Sequence, residues 1–88
     1  MLIGSMNNPK SPLIKEIKWV KRNFDFLDLT LEMPNSYPDK INVRSIKKLL
    51  GDFPVVGHTA WYLPIGSPFK ELRLYALSEL DKCFHIFK

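Results

Sequence analysis

The chain is poor in the residues that bind metals and form disulfides. Among its 88 residues there is one cysteine, Cys83, and there are two histidines, His58 and His85. A single cysteine excludes an intrachain disulfide and fits a reducing compartment, so we expect a cytoplasmic protein. The histidines are 27 positions apart and no Cys-x-x-Cys pair is present, which argues against a structural zinc site.

Long apolar runs are missing too. No stretch approaches the roughly 20 apolar residues that span a membrane, and we expect no membrane partner. The segment Met1-Leu2-Ile3-Gly4-Ser5 has no basic residue followed by a long apolar run, so it does not resemble a signal peptide. The remaining composition, 45% hydrophobic and 12% aromatic, predicts one small globular domain over residues 1–88.

Acidic residues are fewer than basic ones, 9 against 13, and the net charge is +4. The cations concentrate in two candidate helices, as Lys15, Lys18, Lys21 and Arg22 and then as Arg44, Lys47 and Lys48. They form either solvated outer faces or a surface that follows the phosphates of a nucleic acid. We see no interleaved exposed aromatics and no recognised binding motif, and acidic residues interrupt the run. The sequence therefore favours solvated faces and makes nucleic acid an unlikely partner.

Three strand–loop–helix units follow one another along the chain. The patterns predict strands near residues 2–6, 26–32 and 55–60, and helices near residues 11–23, 42–50 and 67–87. The dipeptides Ser11-Pro12 and Ser67-Pro68 are typical helix openings, with serine as the cap and proline in the first turn. Asn42 is the expected cap of the second helix, and Gly51 is expected to end it at a left-handed position.

Each predicted helix has an apolar face. These faces comprise Leu13, Ile17, Val20 and Phe24, then Val43, Ile46, Leu49 and Leu50, and finally Phe69, Leu72, Ala76, Leu80, Cys83 and Phe87. The second strand alternates, with Leu27, Leu29 and Leu31 on one side and Phe26, Asp28, Thr30 and Glu32 on the other. In a barrel the leucines would face the helices and the polar residues the interior. A half-solvated antiparallel strand has the same periodicity.

Because each helix returns the chain to the same end, the order of elements predicts a three-stranded parallel sheet in the order 1-2-3. The loops at the carboxyl ends of the strands, where ligands bind in such folds, then share one edge. There, Glu32 and His58 are candidates for proton transfer or metal binding. Their structural alternatives are a hydrogen-bonded histidine and a carboxylate that caps or pairs with a lysine. One histidine and one glutamate do not complete a metal site.

Trp61 and Tyr62 follow the third strand and either wall a pocket or serve packing. Cys83 falls on the apolar face of the last helix and is expected in the core. His85 lies beside that face, and we interpret it as structural.

Two segments resemble a known family. Phe24-Asp25-Phe26-Leu27-Asp28-Leu29-Thr30-Leu31-Glu32 is similar to the second-strand motif of sugar phosphate isomerases/epimerases with a xylose-isomerase-like TIM barrel. Val56-Gly57-His58-Thr59-Ala60-Trp61-Tyr62-Leu63-Pro64-Ile65-Gly66-Ser67-Pro68 is similar to their third-strand motif and loop. The resemblance covers about residues 2–88, the first three of eight βα units. It implies an α/β fold, a partial TIM barrel that forms a (βα)3 fragment.

The resemblance also implies a site. Glu32 would lie at the mouth, His58 beside the substrate or a divalent metal ion (Mn, Mg, Co or Zn), and Trp61 and Tyr62 would wall a pocket for a sugar or sugar phosphate. The family's main metal ligands and its acid/base carboxylates come from later strands, so no catalytic residue is assigned here. We expect a truncated isomerase- or epimerase-like protein, whose parent chemistry is metal-assisted proton transfer next to a sugar carbonyl.

Two alternatives remain open at this point. One is a non-catalytic oligomeric scaffold or subunit with a vestigial sugar pocket. The other is a nucleic-acid binder similar to endonuclease IV, which belongs to the same superfamily. Three strands leave sheet edges and a polar inner face uncovered, so we expect a homo-oligomer.

Overall fold

The computed structural model describes residues 1–87 and shows an α/β fold with a three-stranded parallel sheet, as predicted. The elements are β1 (Gly4–Met6), α1 (Leu13–Asn23), β2 (Phe26–Leu31), α2 (Val43–Leu50), β3 (Val55–Thr59) and α3 (Lys70–Phe87), with a 3-10 turn over Pro38–Lys40 before α2. The strand order is β1-β2-β3, and both neighbouring pairs are parallel. No helix within residues 1–87 is both long and apolar enough to cross a membrane.

The strand register decides which side chains share a face. Leu29 pairs with Gly57 and Thr30 pairs with His58 across β2 and β3, while Met6 of β1 pairs with Asp28. Paired residues of a parallel sheet direct their side chains to the same side, and successive residues alternate. The leucines of β2 therefore lie on one face with Gly57, and Asp28 and His58 lie on the other.

The hydrophobic core occupies the leucine face, and all three helices contribute to it. Its buried members are Leu13, Ile17, Val20, Leu27, Leu29, Leu31, Ile46, Leu50 and Cys83. This arrangement confirms that the leucines of β2 face the helices and that Cys83 is a core residue. The opposite face is more open to solvent, since the side chains of His58 and Asp28 are 48% and 33% exposed.

The two Ser-Pro dipeptides do not cap helices, and this prediction is wrong. Helix α1 begins at Leu13, with Pro12 at the cap position and no side-chain cap. The carboxylate of Glu16, in the first turn, instead accepts a hydrogen bond from the Asn8 N–H. Helix α3 begins only at Lys70, and the Ser67 hydroxyl accepts the Phe69 N–H within the preceding loop.

The ends of α2 are as expected. The Asn42 side chain accepts the N–H of Ser45 at 3.1 Å, which confirms the cap. Gly51 follows the helix with φ 55° and ψ −123°, and the Phe53 N–H donates to the Leu50 carbonyl at 2.9 Å. These angles are those of the first central residue of a type II′ turn, where glycine is favoured. The positive φ is confirmed, although ψ lies outside the left-handed helical region.

The predicted apolar face of α3 is correct only in part. Ala76 and Cys83 are fully buried, but Phe69 and Leu72 are 66% and 46% exposed, and Glu79 is buried instead. Eighteen helical residues extend for about 27 Å, whereas the five residues of β3 extend for about 17 Å. The first turns of α3 therefore pass beyond the strand, and apolar residues there have no sheet to cover.

Candidate functional site

His58 and Asp28 meet on the face of the sheet opposite the helices. His58 Nδ1 lies 3.4 Å from Oδ1 and 3.5 Å from Oδ2 of Asp28. His58 is in register with Thr30, two residues beyond Asp28, so the pair is diagonal across neighbouring strands. A carboxylate beside Nδ1 favours the tautomer with the proton on Nδ1, which leaves Nε2 free to accept a proton or bind a ligand.

The Asp28 carboxylate has spare hydrogen-bonding capacity. Its Oδ1 atom is buried and accepts no hydrogen bond from the described part of the chain. A buried carboxylate oxygen without a donor is unfavourable, so this atom favours a small shift of the His58 ring that would bring Nδ1–H within hydrogen-bond distance.

Glu32 lies where the sequence places it, at the carboxyl end of the sheet. It directly follows β2, and His58 is the residue before the end of β3. Because the strands are parallel neighbours, both residues lie toward the same sheet end, which confirms this prediction. The Glu32 carbonyl accepts the N–H and the hydroxyl of Ser36, at 3.1 and 2.9 Å, and closes the turn after β2. Within residues 1–87, however, the carboxylate that contacts His58 is Asp28 and not Glu32.

Trp61 and Tyr62 lie in the turn after β3 and differ in role. Trp61 is 84% exposed, so it does not serve core packing. The two rings meet edge to face with centroids 5.8 Å apart. The Tyr62 hydroxyl accepts the Met33 N–H at 3.1 Å, which links the loop after β3 to the loop after β2.

A cavity of about 240 Å³ opens between these two loops and α3. Its lining includes Met33, Tyr37, Asp39, Tyr62, Tyr75 and Glu79. Three tyrosines and two carboxylates make it an aromatic pocket with hydrogen-bond acceptors, a combination typical of sites for small polar ligands.

Glu79 organises one wall of this cavity. One carboxylate oxygen accepts the hydroxyls of Tyr37 and Tyr75 at 3.1 and 3.3 Å, and the other lies 2.6 Å from Lys82 Nζ. The hydrogen bond from Lys82 is the main cause that lowers the pKa of Glu79, against the opposing effect of burial. Burial and the neighbouring Glu79 raise the pKa of Tyr37 above its usual value. The network attaches α3 to the loop before α2.

Glu79 was not among the functional residues expected from the sequence. The available signal was its position, three residues after Ala76 and four before Cys83, both of which were expected in the core. A charged residue at a buried helical position requires partners, and the tyrosine at i−4 and the lysine at i+3 are within helical reach.

Asn7 was also missed as a structural residue, because Asn7-Asn8-Pro9 has the composition of a turn. The side chain is fully buried. Its amide donates to the Thr30 carbonyl at 3.1 Å, and its oxygen accepts the Thr30 N–H at 2.8 Å. The side chain thus continues the pairing of β1 with β2 beyond the last strand residue.

His58, the expected metal ligand, has too few metal-ligating side chains near it among the described residues. Within residues 1–87, no three His, Cys, Asp or Glu side chains gather into a set that could hold a metal ion. His85 lies on the exposed surface of α3, with Nε2 3.4 Å from Asp81 Oδ2. Since metal sites usually need three or four protein ligands, these residues do not fit a divalent metal ion.

Comparisons with protein-family models, with curated proteins and with solved structures find no match to this chain, and the geometry at the sheet end is therefore the basis for a functional proposal.

Proposed function

We propose that the carboxyl end of the sheet binds a sugar or sugar phosphate, as the resemblance to sugar phosphate isomerases/epimerases implies. The contact between His58 and Asp28 carries the proposal. It lies near the carboxyl ends of two adjacent parallel strands, where ligands of parallel α/β folds bind.

The chemistry of the parent reaction is proton transfer next to a carbonyl group. The family's acid/base carboxylates come from later strands, so this chain would supply only part of that chemistry. His58 Nε2 would accept a hydrogen bond or a proton from the ligand, Asp28 would orient the ring through Nδ1, and Glu32 at the same sheet end would be a second candidate for proton transfer. In the parent reaction a divalent metal ion polarises the carbonyl oxygen. Because residues 1–87 do not assemble a ligand set for that ion, we expect binding without measurable isomerisation.

The neighbouring cavity supports a polyhydroxylated ligand. Asp39 offers carboxylate oxygens to ligand hydroxyls, and Tyr62 and Tyr75 offer aromatic surface to the apolar face of a sugar ring. Glu79 already accepts hydrogen bonds from Tyr37, Tyr75 and Lys82, so it orders the wall of the cavity. Exposed Trp61 stands next to Tyr62 at the same sheet end.

The proposal can be tested by fluorescence. The Trp19→Phe variant leaves Trp61 as the sole tryptophan, and this variant is titrated with D-fructose 6-phosphate, a ketose phosphate. We expect a saturable change in Trp61 emission. In this background His58→Ala should weaken binding about fivefold or more, since one hydrogen bond is worth about 1 kcal/mol.

The matched control is His85→Ala, which removes the other histidine, also exposed and beside an aspartate. It should leave the dissociation constant unchanged. A linear, unsaturable response, or equal losses in the two histidine variants, would show that the sheet end does not bind this class of ligand.

A further inference from the structure

A second candidate site lies away from the carboxyl end of the sheet. The free edge of β1 and the outer side of α1 form a groove of about 520 Å³. Lys15, Trp19 and Arg22 line it from α1, and residues 5–9 line it from the strand side. These three residues are spaced four and three apart, so they share one side of the helix.

Trp19 is not needed by the core. The core residues of α1 are Leu13, Ile17 and Val20, whereas Trp19 is 43% exposed. Its ring is nevertheless held in place, because it packs at a tilt against Phe24 with centroids 5.3 Å apart. A large aromatic ring that is fixed and open to solvent can stack with a flat ligand.

Positive charge surrounds this ring and continues beyond the groove. Lys18 lies between Lys15 and Arg22 on the exposed surface of α1. Lys21 Nζ donates to the Leu49 carbonyl at 2.6 Å, which brings α2 alongside. Helix α2 has no acidic residue and adds Arg44 and Lys48, which are four residues apart. Lys47 of the same helix lines a different cavity, together with Phe53 and Gly57. We call Lys15, Lys18, Lys21, Arg22, Arg44 and Lys48 the basic band.

Acidic groups do little to neutralise the band. Glu16 is the acidic residue of α1, and its carboxylate is engaged by the Asn8 N–H at the rim of the groove. Asp25 follows α1 and accepts the Ile3 N–H. Six cations on two helices that carry one acidic residue between them attract a polyanion, and counterion release makes such binding depend on salt.

We propose that the groove and the basic band bind single-stranded nucleic acid, with a base stacked on Trp19 and phosphates on Lys15, Lys18 and Arg22. An aromatic platform next to a positively charged track is the arrangement that binds single strands. A polymer fits better than a single nucleotide, because the cations extend from the groove across α1 to α2. The sequence argued against nucleic acid because it showed no exposed aromatic residue among the cations, no recognised binding motif, and acidic residues within the run. The exposure of Trp19 removes the first of these objections. This surface does not depend on the proposed sugar site.

The experiment measures binding of fluorescein-labelled oligothymidylate to the full chain by fluorescence anisotropy over a series of salt concentrations. We expect affinity to fall steeply with salt. Trp19→Ala should weaken binding about five- to hundredfold, the range for one stacked base, and leave the salt dependence unchanged. Lys15→Ala and Arg22→Ala should each reduce the slope of log K against log salt by about 0.7.

Two control variants separate this surface from the rest of the chain. Trp61→Ala removes the other tryptophan, and Lys70→Ala removes an exposed lysine outside the basic band; both should bind as the unmodified chain does. Circular dichroism of every variant confirms that it is folded.

Several results would overturn the proposal. If Trp19→Ala bound the oligonucleotide as tightly as the unmodified chain, no base would be stacked on Trp19 and the interaction would be electrostatic only. Equal or tighter binding of a duplex of the same length would exclude stacking, because paired bases are not available to Trp19. Binding of thymidine monophosphate as tight as that of the oligonucleotide would make the site one for a mononucleotide.

Discussion

Asn7 shows how one side chain takes the place of a strand residue. It is fully buried at the end of β1, and its amide group exchanges two hydrogen bonds with the backbone of Thr30. Without it, an N–H and a carbonyl on the β1 side of the central strand would be buried without partners. Buried backbone groups are almost always paired.

We expect Asn7→Ala to destabilise the fold by about 2 kcal/mol or more, because it leaves two buried backbone groups unpaired. The matched control is Asn8→Ala. The Asn8 side chain also accepts a backbone N–H, that of Lys10, but at an exposed position, so its loss should cost under about 1 kcal/mol. Urea unfolding of both variants measures the difference. Equal costs would show that the buried Asn7 bonds add no more stability than the exposed Asn8 bond.

The sequence predicts the environment of a residue better than its partner. Burial of Cys83 and of the leucines of β2 follows from periodicity. The contact of His58 with Asp28 does not follow from periodicity, because it depends on the register between β2 and β3, and these two residues are 30 positions apart in the sequence. The Glu79 contacts likewise join α3 to a loop 42 positions earlier. Hydrophobic spacing specifies a face but carries no information on register between distant elements.

At the scale of elements, a short sequence motif predicts the end of a helix correctly when it is compatible with one local conformation. It fails when it is compatible with several. Asn42 and Gly51 mark the ends of α2 correctly. The Ser-Pro dipeptides favour turns as well as helix starts, and at both places the turn is what forms, so α1 and α3 begin later than predicted. The first two turns of α3 then lie beyond the strand, where tertiary geometry decides exposure.

Two glycines allow a test of the turn that ends α2. Gly51 has φ 55°, and a Cβ added there would meet no atom within 4 Å. Gly51→Ala should therefore destabilise through backbone strain alone, by about 1 kcal/mol or more. At Gly66 a Cβ also meets nothing within 4 Å, but φ is not in the positive range. Gly66→Ala should be neutral or slightly stabilising. Thermal unfolding of the two variants separates the effect of backbone strain from that of steric contact. A Gly51→Ala variant as stable as the unmodified chain would contradict the predicted strain.

At the scale of the whole molecule, both outer strands of the sheet lack a neighbour on one side within residues 1–87. Val55 and Val56 of β3 are 40% and 56% exposed, and α3 exposes Leu74, Leu77 and Phe84 by about half. Open edges next to exposed apolar side chains favour association with another copy.

We therefore predict a dimer or larger species at micromolar concentration in sedimentation experiments. Val56→Lys places a charge on the free strand β3 and should shift the chain toward the monomer. Ile65→Lys is the matched control, since Ile65 has the same 56% exposure but lies in a loop. A chain that stays monomeric throughout, or equal effects of the two lysines, would contradict association through β3.

The position of Cys83 also has a consequence for biosynthesis. Cys83 belongs to the same core as Leu13, near the start of the described chain, so every residue between the two must be present before this core can form. A ribosome adds about 5–20 residues per second, so the core can form only after synthesis has passed Cys83. Burial raises the pKa of the Cys83 thiol, which disfavours the reactive thiolate. The Cys83 thiol is thus open to alkylation in the nascent chain and protected once the core has formed. The rate at which Cys83 is alkylated therefore reports when the core forms.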